Sequence, residues 1–299
     1  MSKLLEITIV LVFHLFRITL SVTKLYQRHP STSHIDCGRI LNGEELYIKD
    51  DRNRATYKDE PNLTVDCQTI RQRHYFPEQP ASDEEAKFPI AYARAIFKDY
   101  LLIEMEYCYA VSAKADVLYK ARINNLTNCF PNVFVNEVEF ETNSAGHNMS
   151  FAMLECMKNL LRTDRRWEYN HDISAKTNQE LVQIFQWMGG ANDMEIEKLK
   201  QMNRVDWKMD WTFKGLNIFL NDSLKKEARN NSDSKMRFSK GYSEMSLTRT
   251  SVDYMLNQLN LTTFLTQLNG PAYGVDEVAF QTIATTEALH LPGGLLRIA

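Results

Sequence analysis

The sequence predicts an α/β fold with a mixed sheet, and three features point there. Phe88–Phe97 and Tyr107–Val111 read as two strands. Cys129–Val135 is a further apolar run, bounded by Pro131 and Asn136, that reads as a short buried strand. After a polar, glycine-containing loop, Phe151, Leu154, Cys156, Met157, Leu160 and Leu161 recur at helical spacing. Asn178–Met188 repeats that spacing with Leu181, Val182, Ile184, Phe185 and Met188.

Taken in order, the chain starts with an apolar stretch, Leu4–Val22, interrupted by Glu6, His14 and Arg17. A spanning helix wants about 20 mostly apolar residues, and an arginine near its centre costs about 2.5–3.5 kcal/mol on insertion scales. Three readings compete: a signal-anchor, a cleaved signal peptide and a buried core helix. Residues 26–85 follow, polar and carrying Pro30, Pro61, Pro77 and Pro80; they read as a stem and irregular lead-in. Residues 86–299 form the folded domain.

Within that domain the two strands at 88–97 and 107–111 are joined by only Lys98–Glu106, a tight crossover for parallel strands. Trp167-Glu168-Tyr169 abuts Asn170-His171-Asp172, which leaves little room for a strand, so the sheet is expected to lack a member or to fill in poorly there. Asp172 or Thr177 caps the helix at 178–188. Met194–Lys235 is charged, with Trp207, Trp211, Phe213 and Phe219 interleaved, and reads as loops and short strands. Two short helices, Val252–Leu259 and Leu261–Leu268, come next.

A net charge of −3 excludes the basic field of a nucleic-acid binder. Walker A, His-Glu-x-x-His and Cys-x-x-Cys words are absent. The five cysteines, at 37, 67, 108, 129 and 156, are not spaced as a zinc site. Sequons at Asn62, Asn125, Asn148, Asn221, Asn230 and Asn260, together with the apolar N-terminus, favour a secretory-pathway lumen. The loop at 144–148 places backbone N–H groups and His147 near a helix N-terminus, a place suited to a polar or anionic ligand.

Several words occur in order: Cys129-Phe130-Pro131-Asn132-Val133, Ser144-Ala145-Gly146-His147-Asn148-Met149, Glu155-Cys156-Met157-Lys158, Asn170-His171-Asp172 with Lys176-Thr177, Gly190-Ala191-Asn192-Asp193, Tyr273-Gly274-Val275-Asp276-Glu277 and Leu291-Pro292-Gly293-Gly294. As an ordered set they resemble the core-2/I-branching β-1,6-N-acetylglucosaminyltransferases (glycosyltransferase family 14), from about Asp36 onward. The resemblance implies a GT-A type glycosyltransferase domain, incomplete at its C-terminus, with helices on both faces of the sheet. It implies a type II Golgi membrane protein with the domain in the lumen, UDP-GlcNAc as donor, a glycan or glycoprotein acceptor, and no metal or other cofactor.

Residue by residue, the resemblance makes Glu277 the general base. An inverting transfer to a sugar hydroxyl needs one carboxylate at the attacking oxygen; read without the resemblance, Asp276-Glu277 is a charge pair at a helix N-terminus. Ser112 (where the family usually has Asp), Ser144 and His147 border the donor, and Asp172, Lys176 and Asp276 line the cleft. The expected disulfides are Cys67–Cys129 and Cys108–Cys156, with Cys37 a free thiol. The basic residues that clasp the diphosphate in the family fall beyond Ala299, and Arg297 is a weak substitute. A related transferase, xylosyl transfer included, and a non-catalytic luminal binding protein are the competing readings.

Overall fold

The computed structural model describes residues 32–54, 59–74, 76, 79–80, 82–96, 98–104, 109–111, 116–161, 166–169, 176–200, 202–230 and 234–294. Leu4–Val22, Ser112, Asp172, Cys108 and Arg297 fall outside them, and with them the expectations placed there. Among the described residues no helix is long and apolar enough to cross a membrane. The chain divides into two compact units, one of Met1–Lys58 with Gln68–Phe76, the other of Asp59–Cys67 with Pro77–Ala299.

The first unit is made of short helices: α1 (Cys37–Leu41), α2 (Glu45–Lys49) and most of α3 (Cys67–Arg73). Asp36 caps α1 through the N–H groups of Gly38 and Arg39, at 2.9 and 3.3 Å. Neither α1 nor α2 buries a residue. Helices this short are marginal without packing; here Arg39 ties α1 to α2 by pairing with Glu44 and lying over the Tyr47 ring.

The second unit holds the sheet. After α4 (Asp83–Lys87), capped by Ser82, comes β1 (Ile90–Ile96). Then follow α5 (Tyr100–Ile103), β2 (Tyr109–Val111), α6 (Val117–Cys129), α7 (Met149–Leu161), β3 (Arg166–Tyr169) and α8 (Asn178–Trp187). The rest is β4 (Asp193–Met194), β5 (Glu197–Lys198), α9 (Phe213–Leu216), α10 (Asp222–Asn230), β6 (Ser239–Lys240), β7 (Met245–Ser246), α11 (Arg249–Asn257), α12 (Thr262–Leu268) and α13 (Asp276–Thr285). The five-stranded sheet runs β2-β1-β3-β7-β4, and β5 pairs with β6 separately. β1 is parallel to β2 and β3; β7 runs antiparallel to β3 and β4. The result is a mixed α/β architecture.

Three expectations need correction. The strand thought to be missing is present: Arg166–Tyr169 forms β3, in the middle of the sheet. Four residues suffice, because β1 offers a full parallel ladder from Ile90 to Ala93 and Met245 closes the other side opposite Tyr169. Cys129–Val135, in contrast, is no strand. Cys129 ends α6, residues 131–132 form a turn and Val135 makes only an isolated bridge. Pro131 has no N–H to give a ladder, and Phe130 and Val133 reach the interior from the turn instead. Met194–Lys235 is not merely loops and strands, since α9 and α10 lie in it. Three of its four named aromatic residues are core: Trp211, Phe213 and Phe219 are buried, whereas Trp207 is exposed, and Trp211 meets Phe238 edge-on at 4.9 Å.

The tight link from β1 to β2 is spanned with a single helical turn, α5. Asp59 holds that turn by accepting from the N–H groups of Tyr100 and Leu101. Helix α7 packs on β1 and β2, and α11 and α13 pack on α7. Its Met153, Met157 and Leu160 are buried, each worth about 1.5–3 kcal/mol. Cys67 and Cys129 are disulfide-bonded across 62 residues, a closure worth about 4 kcal/mol in the chain-entropy picture.

Candidate functional site

Helix α13 begins without a side-chain cap of its own. Val275 stands at the N-cap and makes no such bond, and the first turn carries Asp276 and Glu277. Carboxylates there face the positive end of the helix dipole. What fixes the turn comes from elsewhere in the chain.

The loop 143–148 is one support. Asn143 Oδ1 accepts from the N–H groups of Ala145 and His147, and its carbonyl accepts from Gly146. Ala145 presents its carbonyl to the N–H groups of Gly274 and Val275, at 2.8 and 3.4 Å. Gly146 has φ +85° and lies flat against Asp276: a Cβ there would stand 2.9 Å from the Asp276 nitrogen and overlap its carboxylate. Only glycine meets both demands without strain. Asn148 and Asn269 exchange bonds, Asn148 N–H to Asn269 Oδ1 at 2.8 Å and Asn269 Nδ2 to Asn148 Oδ1 at 2.9 Å.

His147 is part of the same latch. Its Nε2 lies 2.8 Å from the Pro271 carbonyl, which can only accept, so Nε2 carries the proton; Nδ1 then accepts from Asn143 Nδ2 at 3.0 Å. Both ring nitrogens therefore face protein. So do the N–H groups of residues 145–148, all of which end on protein acceptors. The loop does not present a backbone anion cradle, as its place before a helix suggested. It is a wall built against the 269–277 segment.

The second support is Arg204, in the turn Met202–Arg204. Its Nη1 pairs with Glu277 Oε2 and also donates to the Gly274 carbonyl at 3.4 Å. The guanidinium lies 5.7 Å from the Tyr273 ring centre. The Arg204 side chain is 11% exposed and that of Glu277 29%. From the other side, Gly241 donates to the Glu277 carbonyl at 3.0 Å. The next residue, Tyr242, donates to Glu195 Oε2 and accepts from the buried Gln281 amide. An anchored, part-exposed carboxylate at a fixed helix end is suited to taking a proton from a bound hydroxyl.

The structure thus brings Ser144, His147, Asp276 and Glu277 into one neighbourhood. Ser144 is exposed in the loop's turn. Lys176 stands at the start of α8, where its Nζ is 3.3 Å from Glu180. Of the sequon asparagines, Asn148 uses its amide nitrogen to bond the Glu141 carbonyl, whereas Asn62 and Asn125 are exposed. Sequence reading missed Arg204 and Asn269, and no local word marks either of them. Among the described residues no group of three or more His, Cys, Asp or Glu is arranged for a metal ion.

Residues 99–296 match the model of the family described as Core-2/I-Branching enzyme. A rat (Rattus norvegicus) β-1,3-galactosyl-O-glycosyl-glycoprotein β-1,6-N-acetylglucosaminyltransferase 3 is 29% identical over 204 residues, 60% of this chain and 47% of the relative. The Bos taurus β-1,3-galactosyl-O-glycosyl-glycoprotein β-1,6-N-acetylglucosaminyltransferase is 27% identical over 301 residues, 91% of this chain and 68% of the relative. Its Homo sapiens counterpart is 30% identical over 231 residues, 64% and 54%. The chain spans about half the length of the rat and human relatives.

Proposed function

The chain belongs to the core-2/I-branching enzyme family, and we propose that it transfers N-acetylglucosamine from UDP-GlcNAc to the C6 hydroxyl of a galactose or N-acetylgalactosamine on an O-glycan. In this reading the reaction inverts at C1 and uses no metal. The acceptor O6 attacks C1 of the sugar, and the C1–O bond to the diphosphate breaks. UDP departs with the electron pair, and the proton of the hydroxyl passes to Glu277. Protonation of the leaving group is not needed, unlike in glycoside hydrolysis.

The observation that carries this reading is Glu277 itself, part-exposed in the first turn of α13 and flanked by the loop of Ser144 and His147. Ser112, Ser144 and His147 border the donor, and Asp172, Lys176 and Asp276 line the cleft. The protein acts in the Golgi lumen, anchored by its N-terminal segment.

The test is release of UDP from UDP-GlcNAc by the full chain, with and without a Galβ1,3GalNAc acceptor, followed by linkage analysis of the product. Acceptor-dependent release with a β-1,6 branch is the expected result. No release with any acceptor would favour a luminal binding protein, and turnover of UDP-xylose instead would move the assignment to a related transferase.

A further inference from the structure

The geometry points to Arg204 as the positioning residue of the base: its guanidinium anchors Oε2 of Glu277 and leaves Oε1 as the oxygen that takes the acceptor's proton. This rests on the reading of Glu277 as the base and says how that base is aimed.

Among the described residues, the carboxylate of Glu277 has one partner, Arg204 Nη1 on Oε2. Oε1 has none among them, and the side chain is 29% exposed, which leaves that oxygen open to a bound hydroxyl. A glutamate side chain turns about three torsions, and a base must bring one oxygen within about 2.6–3.2 Å of the hydroxyl it deprotonates. Fixing one oxygen removes most of that freedom and sets the direction of the other.

The anchor is itself built in. Arg204 is nearly buried, its Nη1 also reaches the Gly274 carbonyl, and the Tyr273 ring lies beside the guanidinium. Gly274, with φ +68°, leaves the seat open: a Cβ there would lie 2.5 Å from Nη1 and 2.6 Å from Cζ. So the segment that ends in Glu277 also shapes the hole that receives its partner, from 73 residues away in the chain. An arginine serves better than a lysine here, because the planar guanidinium donates from Nη1 to both the carbonyl and the carboxylate while lying beside the Tyr273 ring.

Initial rates of the full chain with UDP-GlcNAc and a Galβ1,3GalNAc acceptor test this, with Arg204→Gln, Arg204→Lys, Glu277→Gln and the double variant R204Q/E277Q. The expected result is a kcat lowered about 100-fold in Arg204→Gln, as for a reacting group displaced by an ångström, with KM for both substrates little changed. Arg204→Lys recovers part of the loss, and the double variant is no slower than Glu277→Gln alone. A raised acceptor KM at unchanged kcat would overturn the proposal, because Arg204 would then bind substrate rather than aim the base. So would independent, multiplying effects in the double variant.

Thermal unfolding of wild type, Arg204→Gln, Glu277→Ala and the double variant R204Q/E277A, in which alanine removes both oxygens, is read in parallel as a double-mutant cycle. Coupling between positions 204 and 277 is expected, and its absence overturns the anchor whatever the rates. A wild type that transfers no sugar while the coupling persists defeats the reading of Glu277 as base, and the positioning role with it, but not the ion pair.

Discussion

Among the helices of the second unit that begin with an acidic first turn, α8 and α13 secure it in different ways. Helix α8 is self-sufficient. Thr177 accepts from the Glu180 N–H, the Glu180 carboxylate returns a bond to the Thr177 N–H at 2.9 Å, and Lys176 pairs with that same carboxylate. Everything lies within a few residues and is exposed. Helix α13 has no such device. Its first turn is held by a loop more than a hundred residues upstream and by Arg204, and those supports are part-buried around the buried Gly146. The capping box uses its glutamate to finish the helix. The uncapped turn leaves a carboxylate oxygen uncommitted, which chemistry requires and stability alone does not.

That contrast can be broken at the latch first. Gly146→Val puts a branched side chain at φ +85° against Asp276. Strain and overpacking together cost about 2–6 kcal/mol, enough to lower the melting temperature sharply and to reduce secretion of folded protein. A variant that melts like wild type would show that the loop does not bear on α13. Asn269→Ala removes both bonds to Asn148 and is expected to cost about 1–3 kcal/mol, with activity falling alongside stability. Thr177→Ala, at the self-capped helix, costs about 1 kcal/mol and touches neither Glu277 nor its supports, so kcat is expected to fall far less than in Glu277→Gln; an equal loss would show that the start of α8, with Lys176, takes part in the reaction.

The smallest effect is one of pH. Bonds from the Thr177 N–H and hydroxyl, then from Lys176, hold the Glu180 carboxyl below the ordinary carboxylate range. Its folded value is depressed, so its contribution is full above the unfolded value and is lost as pH falls through the folded one. Acid titration followed by backbone NMR at Thr177–Glu180 should show the capping box opening below the usual carboxylate range. Opening above that range would contradict the bond pattern.

What could be read in the sequence divides along the same line. The Thr177 cap, the apolar face of α7 and the helix starting at Asp276 are carried by neighbours in the chain, and spacing reveals them. The Cys67–Cys129 bridge came through the resemblance, not from spacing. β3 is hidden from a reading of strand length alone, because its partners are distant in the chain. Four residues look too few until β1 is laid alongside. Cys129–Val135 misleads in the opposite sense: its apolar composition suggests a strand despite Pro131, although burial without a ladder satisfies Phe130 and Val133 equally well. At the site, the Gly146 contact and the Arg204 pair are invisible along the chain. The groups that meet are 130 and 73 residues apart, and neither a glycine nor an arginine announces its partner.

The most direct measurement is sugar transfer by the full chain against Glu277→Gln. Glutamine keeps an oxygen for Arg204 and cannot take a proton from the acceptor. The account predicts a kcat lower by about 100-fold or more, with donor KM and melting temperature close to wild type. A Glu277→Gln protein that transfers sugar at nearly the wild-type rate would contradict it.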